Sequence, residues 1–61
     1  MEAKDFTAWL DHMQFSDAEA ARRLGLGSRN TIAKYKVEGA PEYIGLACAA
    51  LAYGLPAWKK V

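Results

Sequence analysis

The sequence contains one cysteine, Cys48, so no internal disulfide can staple the chain and packing alone must hold it, with a reducing cytosol as its natural setting. It also lacks a run long enough to span a bilayer. The longest mainly apolar segment, Tyr43 to Leu55, is free of charge but shorter than the roughly 20 residues a membrane helix needs, and is expected to form a buried core helix. Met1-Glu2-Ala3-Lys4-Asp5 lacks the basic and then apolar order of a signal peptide, so export is not expected. The single histidine, His12, has no set of partners resembling the roughly four ligands that zinc requires, and is expected to face solvent. No metal, cofactor or small-molecule substrate is implied. A P-loop, a carboxylate pair at a plausible pocket and a histidine-backed serine or cysteine are all missing, which argues against an enzyme. Cys48 itself, inside an apolar stretch with nothing nearby to lower its pKa, is expected to be a core residue.

What is present suits one small domain spanning residues 1–61. A chain of 61 residues buries only about 60% of its unfolded surface, and its 52% apolar and 25% charged residues are those of a folded globule. The net charge of +1 is unevenly placed. Arg22, Arg23, Arg29, Lys34 and Lys36 fall in a stretch with no Asp or Glu, while Glu2, Asp5, Asp11, Asp17 and Glu19 all precede it. A local positive cluster of this kind suits a surface that meets phosphates, and an ordinary solvated basic face has the same pattern.

The periodicity predicts helices throughout. Phe6, Trp9, Leu10 and Met13 recur at i, i+3, i+4 and i+7, placing one apolar face on a helix from Asp5 to Gln14. Ser16-Asp17-Ala18-Glu19 fits a capping box, which starts a second helix that runs to Leu24 and stops at Gly25. Gly25-Leu26-Gly27 is a tight turn anchored by its leucine, and Ser28 caps a third helix from Arg29 to about Lys36. Ile32 and Tyr35 point inward there, leaving Arg29, Asn30, Ala33 and Lys34 outside. A fourth helix runs from Pro41, at its first position, to Tyr53, with Ile44, Ala47, Cys48 and Leu51 at a helical period. Leu55, Trp58 and Val61 recur at i, i+3 and i+6, predicting a final helical turn packed on the body. Trp9 and Trp58 are expected to anchor the core or an interface, and Trp58, if exposed, is the first candidate for a dimer contact.

Two short helices joined by a glycine-containing turn, the second opening with polar residues, form a helix-turn-helix pattern over about residues 16–36. One helix fits the major groove of B-DNA, and its N-terminal residues reach base edges. Arg29 and Asn30 stand at those positions, where arginine pairs with guanine and asparagine with adenine; Lys34 follows one turn later. The run from Ala20 to Tyr35, continuing through Gly39, Pro41 and Ile44–Leu51, resembles the phage repressor and Cro-like helix-turn-helix family. The resemblance implies an all-α, compact bundle of four to five helices, lambda-repressor-like, that binds double-stranded DNA at an inverted repeat as a homodimer and represses transcription. It also implies a cytoplasmic, nucleoid-associated regulator of a phage or mobile element. By position, Arg29, Asn30 and Lys34 match the family's base-reading sites, and Ala20, Leu26, Ile32 and Tyr35 its packing sites. The turn is one residue longer than that family's, which adds Ser28 and Thr31 to the candidate contacts. Ala33 and Lys36 complete the outward surface, with Arg22 or Arg23 directed at a phosphate. Asp17 stands where the family often carries glutamine near a phosphate, and its carboxylate is expected to be structural. A protein-binding module that sequesters another regulator and an architectural or recombination accessory factor share the same pattern as alternatives.

Overall fold

The structure, a computed structural model, describes residues 1–60. Among these the chain forms four helices and no strand: α1 (Ala3–Met13), α2 (Asp17–Leu24), α3 (Arg29–Glu38) and α4 (Glu42–Ala52). The apolar stripe of α1 buries Phe6, Trp9 and Leu10, while Met13 is partly covered. Helix α1 begins at Ala3, two residues before the expected start at Asp5, because the Glu2 carbonyl accepts from the amides of Asp5 and Phe6, both at 3.0 Å.

Three helices close in the same way. Gln14 (φ 57°), Gly25 (φ 73°) and Gly54 (φ 69°) adopt left-handed backbone after α1, α2 and α4. Each time that residue donates to the carbonyl three back and the next residue donates to the carbonyl five back, the paired bonds of a Schellman closure. This geometry turns the following apolar residue back toward the helix. Phe15 and Leu26 accordingly pack against the core, whereas Leu55 remains 59% exposed.

The core is a single cluster. Phe6, Trp9 and Leu10 meet Ala20 and Ala21 of α2, Ile32 and Tyr35 of α3, and Ile44 and Cys48 of α4. Each large side chain fully removed from water contributes roughly 1.5–3 kcal/mol. Aromatic edges set its packing: Phe6 and Tyr35 are T-shaped at 5.5 Å, and Trp9 meets Phe15 edge-on at 5.6 Å. The Trp9 indole N–H donates to the Cys48 carbonyl at 2.9 Å, linking α1 to α4. The Ala40 amide donates to the Met1 carbonyl at 2.8 Å and the Met1 ammonium to the Ala40 carbonyl at 3.0 Å, which fastens the start of the chain to the α3–α4 turn.

Several sequence expectations are corrected. Helix α3 continues through Val37 and Glu38, two residues beyond Lys36, until Gly39 adopts φ 86°. Pro41 is the N-cap of α4, one position before its first helical residue. The capping box at α2 is half made: the Ser16 hydroxyl accepts from the Glu19 amide at 3.1 Å, but the Glu19 carboxylate turns to Arg22 and Arg23. The segment Tyr43 to Leu55 is not a buried helix, since Tyr43, Leu46, Tyr53 and Leu55 are exposed and only Ile44 and Cys48 are buried. No final helical turn forms in residues 55–60. Gly54 ends α4, Pro56 lacks an amide donor and biases Leu55 away from helical backbone, and six residues are too few to nucleate a turn without packing. Val61, the third member of that expected pattern, lies outside the described residues.

Candidate nucleic-acid interface

Ser28 positions the start of α3. Its backbone is extended and its hydroxyl accepts from the Asn30 amide at 3.1 Å, an N-cap bond that fixes where Arg29 and Asn30 leave the turn. Ile32 and Tyr35 then dock inward at 0% and 7% exposure. The opposite face is left to solvent: Arg29, Asn30, Ala33, Lys34 and Lys36 are exposed, and Thr31 is half-buried at the edge.

Because α3 extends to Glu38, Val37 also belongs to this face. It follows Ala33 by four residues and Asn30 by seven, so the three are stacked along one side of the helix. Val37 is 79% exposed, an apolar group with no fold-stabilising purpose at that position. Sequence reasoning missed it by ending the helix at Lys36. Its spacing from Asn30 was the available signal.

The five cations of the central stretch fall into two groups. Arg22 donates to Glu19 through Nε at 3.3 Å and pairs with it again through its terminal nitrogen; Arg23 lies 3.9 Å from the same carboxylate and 5.2 Å from the Phe15 ring centre. Lys36 meets Asp17 at 2.7 Å, so a carboxylate on α2 holds a cation on α3. These three are neutralised locally by α2. Arg29 and Lys34, in contrast, have no acidic partner within 4.0 Å among the described residues.

The order of charge along the helices sharpens this difference. Helices α1, α2 and α4 carry an acidic residue in the first turn, where the positive end of the helix dipole favours it; α3 carries none. It opens instead with Arg29, whose charge opposes the dipole by a few tenths of a kcal/mol. The exposed start of α3 therefore lacks the compensating negative charge that the other three helices carry.

Burial pushes the Cys48 thiol up to about 11, which keeps it protonated near neutral pH. The Tyr35 phenol is raised by burial and by the neighbouring Tyr43 phenol. His12 is exposed on α1, and no grouping of three or more potential metal ligands occurs among the described residues. No helix among them is long and apolar enough to cross a membrane. Comparison with protein-family models, with curated proteins and with solved structures returns no match.

Proposed function

We propose that the chain is a sequence-specific regulator that binds double-stranded DNA by placing the outward face of α3 in the major groove, with α2, the turn and α3 serving as a helix-turn-helix. The observation that carries this reading is the contrast between cations: α2 carboxylates hold Arg22, Arg23 and Lys36, while Arg29 and Lys34, on either side of Asn30, Ala33 and Val37, have no acidic partner among the described residues. A free guanidinium beside an amide at a helix start is the chemistry that reads guanine and adenine edges. Ala33 and Val37 offer methyl groups to the thymine C5-methyl, and Lys34 reaches a base or phosphate. Ser28 retains a hydroxyl proton to donate while its oxygen caps the helix, and Thr31 lies at the margin. Arg22 and Arg23 serve phosphates, exchanging an exposed ion pair of small worth for a DNA oxygen.

One short helix reads too few base pairs to single out a site, so the protein works as a homodimer on an inverted repeat. Repression by occlusion, on the nucleoid in the cytoplasm, follows from the resemblance to phage repressor and Cro-like regulators.

Selection of bound sequences from a random duplex pool tests the reading. The expected product is an inverted repeat, bound with affinity that falls steeply as salt rises. Arg29→Ala is expected to lose about 1–3 kcal/mol and to relax preference at one base pair, while Lys34→Ala weakens binding. Recovery of no motif, together with weak binding indifferent to Arg29→Ala, would refute it.

A further inference from the structure

The described residues leave one large apolar surface without cover. On α4, Ile44 and Cys48 fill the core, yet Tyr43, Leu46 and Tyr53 recur at i, i+3 and i+10 on the other side with exposures of 67%, 67% and 82%. A helix that is apolar around its whole circumference is normally buried around its whole circumference. The segment after it continues the surface, with Leu55 at 59% and Trp58 at 90%. Leu55 is the telling residue, because it occupies the Schellman position at which Phe15 and Leu26 are packed. The closure aims Leu55 as it aims the other two, but among the described residues it stays more than half exposed where Phe15 and Leu26 are packed against the core.

We infer that the occupant is a second copy of this chain, joined by antiparallel pairing of the two α4 helices and exchange of the arms formed by residues 55–60. The size fits: three aromatic and two leucine side chains at these exposures present on the order of 600 Å², close to the roughly 800 Å² per partner of a stable complex and at the upper end of what a monomer leaves open. The charge fits as well. Tyr43 to Leu55 carries no charge, so stacking this face on itself brings no like charges together. Antiparallel pairing brings the end of one α4 beside the start of the other, so the arm's Lys59 and Lys60 approach the partner's Glu42 and Glu38, all four exposed. Each copy donates one arm and receives one, as two-fold symmetry requires. The arm supplies the dimer that the DNA-binding reading calls for and rests on that reading for its use, whereas its existence rests on the uncovered surface.

Sedimentation equilibrium of the full chain, without DNA, tests the arm exchange. The wild type is expected to dimerise in the micromolar range, and Trp58→Ala and Leu46→Lys each to weaken the dimer by roughly ten-fold or more with unchanged helical circular dichroism. Reversal of Lys59 and Lys60 to glutamate is expected to weaken it, and Glu38→Lys with Glu42→Lys in the same chain to restore it. Arg29→Ala should leave the dimer intact. A wild type that stays monomeric, or a dimer indifferent to both Trp58→Ala and Leu46→Lys, overturns the inference. In either case selection of a motif dependent on Arg29 still upholds DNA binding. A dimer that responds as described while no motif is recovered upholds the arm and removes the DNA reading alone. Monomers whose DNA affinity drops with Lys59→Ala and Lys60→Ala would assign the arm to phosphates and overturn the exchange.

Discussion

Gly39 illustrates how one residue can carry a tertiary contact. Its φ of 86° and ψ of 177° lie in a region essentially restricted to glycine, and a methyl group there would sit 2.7 Å from the Met1 carbonyl oxygen and 3.3 Å from the Ala3 nitrogen. Both neighbours are backbone and neither can rotate aside. Gly25 also has positive φ, but it is left-handed helical and nothing lies within 4 Å of an added methyl. Gln14 occupies the same left-handed backbone at the end of α1, so this closure accepts a side chain. Denaturant unfolding is therefore expected to place Gly39→Ala about 3 kcal/mol or more below the wild type, and Gly25→Ala only about 1–2 kcal/mol below it. Equal losses at the two sites would show that the approach of Met1 contributes nothing.

Helices α2 and α3 carry opposite electrostatic designs. Helix α2 opens with Asp17 and Glu19 and closes with Arg22 and Arg23, in the order its dipole prefers, and then spends Asp17 on Lys36 of the next helix. Both partners of that pair are a little over one third exposed, so its contribution to stability is at most about 1 kcal/mol. If the chain binds DNA as proposed, this pair competes with phosphates for Lys36. Asp17→Asn is expected to cost little stability while raising duplex affinity. If the freed Lys36 takes up one phosphate, the slope of log affinity against log salt steepens by about 0.9. A salt titration of the two proteins on one duplex measures this, and an unchanged slope would leave Lys36 outside the interface.

At the scale of the whole molecule, stability rests on contacts between chain segments far apart in sequence. Cys48 is 1% exposed in the middle of the cluster, and its carbonyl receives the Trp9 indole across 39 positions. Its thiol titrates at about 11 in the folded protein against an ordinary 9.0, because burial penalises the thiolate. A pKa raised by folding contributes stability that is complete below the unfolded value and disappears as pH rises through the folded one. The raised Tyr35 phenol acts in the same direction. Thermal unfolding is accordingly expected to be insensitive to these groups up to about pH 9 and to weaken between about pH 9 and 11. In Cys48→Ala the alkaline loss should be shallower, and an identical profile would assign it elsewhere.

Much of this architecture was legible before any coordinates. The four helices, the caps at Ser16 and Ser28, the stop at Gly54 and the inward residues Phe6, Trp9, Ile32, Tyr35 and Cys48 all follow from interactions within a turn or two of the chain, which residue spacing records directly. Phe15 was missed although its place just before the Ser16 cap, where a hydrophobic staple sits, was a usable sign. Only the tertiary structure decided that Asp17 reaches Lys36, that Met1 pairs with Ala40, and that, among the described residues, Arg29 and Lys34 stand unpaired while the outer side of α4 and residues 55–60 stay exposed. Periodicity identifies which sides of a helix are apolar. Whether a neighbour covers both sides depends on where distant segments pack, and four helices of this length are too few to enclose α4 completely.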